Sequence, residues 1–219
     1  MSNKKAIVLL SGGLDSAATL YIAKSEGYQC QGLVFDYGQR HKREIEAARK
    51  ISRLAKCPIK IVRIALPWKG SALLDDKIKL PSSKIRVSSK IPVTYVPGRN
   101  IIFLSFALSF AEGISADAIF IGAHAQDYSG YPDCRPEFYA AFKRVVSTGT
   151  RAGVENRGIE IKTPLINMTK AEIIRLGSKL GVPFESTWSC YEGGEKPCGR
   201  CDSCYFRAKG FREAGIKGR

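Results

Sequence analysis

Two short stretches carry side chains whose types and spacing can do chemistry. The first is Leu10-Ser-Gly-Gly-Leu-Asp-Ser-Ala-Ala18, directly after the apolar run that begins at Ala6. Paired glycines let a backbone turn tightly and approach a ligand without Cβ clashes. The hydroxyls of Ser11 and Ser16 and the unpaired amides of a following helix turn would all face an anion held in that bend. Asp15 would repel a phosphate unless a hard cation bridges the two, so a Mg²⁺-bound polyphosphate fits the stretch. Neither G-x-x-x-x-G-K-[ST] nor G-x-G-x-x-G is present, which excludes the two commonest glycine-rich nucleotide loops. An ordinary glycine turn capping a helix is the plain alternative.

The second stretch is Cys190-x7-Cys198-x2-Cys201-x2-Cys204. C-x-x-C turns fold two thiolates onto one ion, and four thiolates close a tetrahedral Zn²⁺ site with no open position, which makes it structural. A redox C-x-x-C pair and an iron–sulfur cluster are the alternatives.

These stretches need a scaffold. Short apolar runs at Ala6–Leu10, Gly32–Phe35, Ile59–Ile64, Ala118–Gly122 and Ile159–Lys162 read as strands. They alternate with helical patterns at Ser16–Glu26, Lys42–Lys56, Asn100–Glu112, Arg135–Val146 and Thr169–Leu180. The Asn100–Glu112 pattern is apolar almost all round, which predicts a helix buried against the sheet. Thr169-Lys-Ala-Glu172 predicts a capping box. The pattern is that of an α/β fold with a doubly wound parallel sheet, whose ligands bind outside the carboxyl ends of the strands. Residues 1–183 would form the nucleotide-binding domain, with a variable loop at about 67–97. Residues 184–219 would form a cysteine-rich zinc-binding segment packed on it.

The chain has 219 residues and a formal charge of +15. The excess is mainly N-terminal, with 18 basic against 7 acidic side chains in residues 1–90. That balance suits a polyanionic ligand without choosing between nucleotide and nucleic acid. No apolar run approaches a membrane span, and Met1–Lys5 lead into a strand rather than a secretory leader, so a cytoplasmic protein is expected. Seven cysteines, an odd number, four of them crowded together, fit a reducing compartment better than a disulfide framework.

SGGLDS between a strand and a helix resembles the signature of the PP-loop ATP pyrophosphatases. The resemblance implies that Leu10, Ser11, Gly12, Gly13, Leu14, Asp15, Ser16, Ala17, Ala18, Thr19 and Leu20 form the ATP site. It also implies attack at the α-phosphate, with pyrophosphate leaving. Where that family often carries hydroxyls the sequence has Ala17 and Ala18, and Thr19 is the expected substitute donor. Three further stretches, Phe35-Asp-Tyr-Gly-Gln-Arg-His41, Tyr95-Val-Pro-Gly-Arg-Asn100 and Asp127-Tyr-Ser-Gly-Tyr-Pro-Asp-Cys-Arg-Pro-Glu-Phe138, lie at strand ends or helix starts. With the cysteines, they resemble the 7-cyano-7-deazaguanine synthase family over nearly the whole chain.

That resemblance implies an ATP-dependent carbon–nitrogen ligase that converts 7-carboxy-7-deazaguanine and ammonia to the nitrile, for queuosine or archaeosine precursor synthesis. It implies ATP, Mg²⁺ and one structural Zn²⁺ per chain, and a homodimer with no stable nucleic-acid partner. Asp15, Ser16 and Arg99 would act in catalysis. Asp127 and Asp133 would accept hydrogen bonds from the guanine-like base, Tyr131 would stack on it, and Arg135 or Arg99 would fork onto the substrate carboxylate or α-phosphate. Cys134 is read as packing, and His41 and His124 as either phosphate-orienting or structural. Lys162 and Lys170 could each reach phosphate, with solvated surface the favoured alternative for Lys170. A PP-loop tRNA-modifying thiolase and a zinc-ribbon nucleic-acid-binding protein are the competing functions.

Overall fold

The computed structural model describes residues 4–81, 91–124 and 130–218. Five strands, β1 (Lys5–Leu9), β2 (Gln29–Asp36), β3 (Ile59–Arg63), β4 (Ala118–Phe120) and β5 (Glu160–Lys162), form one sheet in the order β3-β2-β1-β4-β5. Every pairing is parallel. The central strand alternates faces. Ala6 and Val8, with Leu10 just beyond the strand, enter one core, and Ile7 and Leu9 enter the other. A strand buried on both sides must be apolar at every position, which is why its sequence reads as a continuous run.

One face is covered by α1 (Leu14–Ser25), α2 (Arg43–Leu54), α6 (Lys170–Lys179) and α7 (Asp202–Ala214). The other is covered by α3 (Arg99–Gly113) and α4 (Pro136–Gly149), with the short α5 (Arg151–Val154) following. The Thr169–Glu172 capping box is formed as its spacing predicts. One expectation is corrected: α3 buries Leu104, Ala107, Leu108 and Ala111, but Ile101 and Phe106 are exposed. A uniformly apolar composition carries no information about which side meets the sheet.

The C-terminal segment shares the main core. Phe211 of α7 meets Phe184 edge-on at 5.6 Å, and both belong to the cluster built around Ala6 and Val8. Strand order reverses between β1 and β4, so the carboxyl ends of these two strands diverge and open a crevice. The glycine loop follows β1, and His124 follows β4. Among the described residues no helix is long and apolar enough to cross a membrane.

Candidate active site

The loop after β1 bends at Gly12, whose φ of +88° lies in the left-handed region. Its α-carbon is wedged against α2. A Cβ there would fall 2.2 Å from the Glu44 carbonyl oxygen and 2.7 Å from the Ala48 nitrogen. Gly12→Ala therefore combines an unfavourable backbone with a clash against main chain that cannot swing aside. It is expected to lower stability by about 1–3 kcal/mol, read as a fall in thermal unfolding midpoint.

Gly13 is the N-cap of α1, and no side chain caps that end. The Ala17 amide bonds to the Gly13 carbonyl at 3.0 Å, so the amides of Leu14, Asp15 and Ser16 have no partner within the helix. Ser11 stiffens the bend: its hydroxyl accepts from the Gly13 amide at 3.2 Å and donates to Ser16 Oγ at 3.1 Å. The result is a rigid cradle of outward amides at the β1/β4 crevice.

Asp15 stands at the first turn of α1 with its side chain a quarter exposed. Lys170 Nζ, from the first turn of α6, lies 2.8 and 2.7 Å from its two carboxylate oxygens. His124 Nε2 is 2.9 Å from the same ammonium and 3.5 Å from Asp15 Oδ2. Burial would push the Asp15 carboxyl up, but Lys170 and His124 more than offset it and hold the carboxyl well below the usual carboxylate range. Lys170 is thus buried against Asp15 rather than solvated, with its side chain only 12% exposed. Three strand-end segments, after β1, β4 and β5, must converge to build this group. Arg207 of α7 adds another cation near Asp15. Burial pulls its guanidinium below the ordinary value while Asp15 pulls it back up. It donates to Thr187 Oγ1 and to the Phe184 carbonyl, both at 2.7 Å.

Several expected contacts lie elsewhere. Thr19 Oγ1 donates to the Asp15 carbonyl at 2.9 Å and the residue is fully buried, so it does not replace a missing phosphate donor. Leu10, Leu14, Ala17, Ala18 and Leu20 are likewise buried in the core, so their side chains hold the loop from behind and do not face the crevice. Lys162 pairs with Glu26 at 2.7 Å and sits 5.2 Å from the Tyr28 ring centre, at the far end of α1 from the loop.

A second cluster lies at the end of β2 and the start of α3. Arg99 opens α3 after Gly98, whose φ is +63°. Burial alone would weaken its charge, but Tyr37, Cys134, Asp133 and Tyr131 around it raise the guanidinium above its ordinary value. Asp133 is 5% exposed, and its Oδ2 accepts from the Asn100 amide at 2.9 Å. Asn100 Nδ2 donates to the Asp133 carbonyl and lies against Cys134 Sγ, both at 3.1 Å. Cys134 is 5% exposed and packed there, as read from the sequence. Tyr131 OH lies 2.6 Å from Thr94 Oγ1, and its ring centre is 6.1 Å from that of Tyr95. Arg135 is exposed at the N-cap of α4. Asp127 lies outside the described residues.

Glu44, in the first turn of α2, was not singled out by sequence. Burial pushes its carboxyl up to about 7 although the Arg99 guanidinium pulls it down. The signal was available: it stands three residues after His41, on the helix that the Phe35–His41 loop feeds. Trp188 was missed too. Its amide donates to the Gly12 carbonyl at 2.9 Å and ties the cysteine segment to the glycine loop.

The four cysteine sulfurs lie within 4.8 Å of one another. A tetrahedron of 2.3 Å zinc–sulfur bonds spaces its sulfurs by about 3.8 Å, so the set fits one ion with small adjustments. Amides of Glu192 and Cys198 point at Cys190 Sγ, at 3.4 and 3.3 Å, and the Cys201 amide points at Cys198 Sγ at 3.4 Å. Such donors suit thiolates. Gly193, with φ of +66°, lets this loop pass over His41: a Cβ there would fall 2.3 Å from the His41 Cβ. Trp188 thus joins the cysteine segment to the glycine loop, and His41 packs under Gly193 with its ring centre 6.4 Å from that of Trp188.

The family model described as queuosine biosynthesis protein QueC matches residues 5–215. A 7-cyano-7-deazaguanine synthase of Saccharophagus degradans is 55% identical over 221 residues, covering 99% of this chain and 97% of the relative. One of Thermoplasma acidophilum is 53% identical over 216 residues, covering 98% and 90%. Among solved structures, an NMN synthetase from Francisella tularensis superposes with a TM-score of 0.53 at 14% identity, over 99% of this chain and 79% of that one. The U34-tRNA thiolase NcsA from Methanococcus maripaludis, described with its 4Fe–4S cluster, gives 0.52 at 17% identity, over 96% and 65%. At that identity the likeness is one of fold. With a family match along almost its entire length and relatives more than half identical to it, the chain belongs to the QueC family of queuosine biosynthesis enzymes.

Proposed function

We propose that the β1/β4 crevice is where this enzyme uses ATP to turn 7-carboxy-7-deazaguanine and ammonia into 7-cyano-7-deazaguanine. The observation that carries this reading is the Asp15–Lys170–His124 group at 2.7 to 3.5 Å, set beneath a rigid cradle of free amides. A carboxylate is a poor electrophile, and adenylation makes its oxygen a leaving group. The amides of Leu14, Asp15 and Ser16 would hold the β- and γ-phosphates, where charge accumulates as the α-phosphorus is attacked. Asp15 would ligate Mg²⁺ with its exposed face, and Lys170 would turn from Asp15 toward the phosphates as they arrive.

Arg99 is the cation at the second cluster, and there we assign it to the substrate carboxylate or the α-phosphate. Tyr131 and the exposed Arg135 stay assigned to substrate. Asp133 is better suited to positioning α3 and Arg99 than to reading the base, because one of its oxygens is spent on Asn100. Asp133→Asn should then weaken the deazaguanine less than Arg99→Ala, compared by apparent KM. The four thiolates would hold Zn²⁺ as a structural ion. Residues 184–219 share the main core, so we read the chain as one domain with an elaborated C-terminus. The exposed Ile101 and Phe106 on α3 support a homodimer through that face.

Incubation with Mg-ATP, ammonium and the carboxy-deazaguanine should yield AMP, pyrophosphate and nitrile, resolved by mass spectrometry. AMP formation that depends on tRNA would replace this reading with a thiolase. Tight RNA binding without turnover would replace it with a nucleic-acid-binding protein. Iron in metal analysis, with a visible absorption band, would overturn zinc.

A further inference from the structure

The proposed reaction moves protons that none of the residues assigned so far accepts. Ammonia attacking the acyl-adenylate forms a C–N bond as the C–O bond to AMP breaks, and the nitrogen must then shed one proton to leave the primary amide. In the second round the amide oxygen attacks the α-phosphorus of another ATP and pyrophosphate leaves. The O-adenylated amide then carries two N–H protons. One passes to water. Loss of the other places the N–H electron pair in the third C–N bond while the C–O bond to AMP breaks, which completes C≡N. Both rounds call for a base beside the activated carbon.

Arg99 and Arg207 are guanidinium cations, Lys170 is ion-paired with Asp15 at 2.7 Å, and Lys170 and His124 hold the Asp15 carboxyl well below the usual carboxylate range with little basicity left. His124 Nε2 is turned to that Lys170–Asp15 pair, at 2.9 and 3.5 Å. Asp133 is capped by the α3 amide. Glu44 differs from all of these. Its backbone carbonyl lies against Gly12, so its helix turn forms one wall of the phosphate cradle. Its carboxyl lies in the fields of Arg99, from α3, and of Tyr37, from the end of β2. Among the described residues it accepts no hydrogen bond and forms no salt bridge.

We propose, building on the nitrile-synthase reading above, that Glu44 is the catalytic base that takes the nitrogen proton in both rounds. Burial supports the role, since a carboxyl lifted to about 7 is a stronger base than a solvated one yet remains partly ionised at neutral pH. The two groups facing it stay protonated in that range: the Arg99 guanidinium and the Tyr37 phenol are both raised.

The test separates activation from proton transfer. Carboxylate-dependent exchange of labelled pyrophosphate into ATP reports adenylation and needs no nitrogen. Feeding the primary amide with Mg-ATP reports the second round without ammonia. Glu44→Gln should keep pyrophosphate exchange within about threefold while nitrile formation from the amide falls about 10²-fold or more. Glu44→Asp should fall between. In the unaltered enzyme, nitrile formation from the amide should rise with pH through a limb near 7. Equal nitrile rates in Glu44→Gln and the unaltered enzyme would overturn the assignment. Parallel loss of exchange and nitrile formation in a folded variant would also overturn it, because the side chain would then serve the cradle. If Glu44→Gln does not fold, a flat pH profile in the unaltered enzyme overturns it on its own. Failure of the reaction reading looks different: no carboxylate-dependent exchange in the unaltered enzyme.

Discussion

Lys170→Met should lower carboxylate-dependent pyrophosphate exchange by about 10²–10³-fold, the scale seen when one preorganised donor to a developing charge is removed. The ammonium lies 2.7 Å from Asp15, and in its absence that carboxylate keeps His124 Nε2 at 3.5 Å and the field of the Arg207 guanidinium. Losing one member of a buried pair costs about 3–5 kcal/mol. Asp15 is a quarter exposed, so about 1–3 kcal/mol is expected here. The two losses can be separated. Asp15→Asn with Lys170→Met removes the stranded charge, so the unfolding midpoint should recover while exchange does not. Recovery of both would mean Lys170 only neutralises Asp15.

The pH dependence follows from sign. The Asp15 carboxyl is held below its unfolded value, so its stabilising contribution is complete above about pH 4 and is lost only as pH falls further. In Lys170→Met, burial is opposed mainly by His124, and the carboxyl moves up. A group raised on folding destabilises once ionised, so the stability gap between variant and parent should narrow as pH falls from 7 to 4. Chemical unfolding at pH 7, 5.5 and 4 measures it, and a constant gap would rule out a charge-based cause.

Stripping the ion that we assign to Cys190, Cys198, Cys201 and Cys204, or making Cys201→Ser, should cost more. Without the ion, or with one of its four ligands lost, no common centre ties together the four side chains that anchor residues 190–204. Loss of a structural metal is expected to remove about 4 kcal/mol or more. For a chain of this size that corresponds to a fall of about 8–16 °C in unfolding midpoint. The effect should reach the nucleotide. The Trp188 backbone amide donates to the Gly12 carbonyl, and its indole Nε1 donates to the Cys190 carbonyl at 2.9 Å, so the cysteine loop and the phosphate loop are joined through one residue. Metal-free protein should therefore bind ATP more weakly while β1–β5 stay paired. Equilibrium nucleotide binding alongside circular dichroism checks this. Unchanged affinity would make the cysteine segment an independent appendage.

What the sequence determined by itself was local. Strand runs, helix periodicity and the Thr169–Glu172 cap depend on residues within a few positions of each other, so all five strands and five of the seven α-helices among the described residues were legible with ends shifted by a few residues. The glycine loop and the cysteine spacing were legible for the same reason. Each is a short-range device whose chemistry follows from adjacent residues. The partners across the fold were not legible. Nothing near Lys170 in sequence distinguishes it from the many surface lysines, because its partner Asp15 is 155 positions away. Thr19 looked available until the helix turned its hydroxyl back onto Asp15, and Glu44 looked like one more charge on an amphipathic helix until Gly12 drew that helix against the loop. Charge and burial act through space, and only the folded chain sets which groups share a low-dielectric crevice.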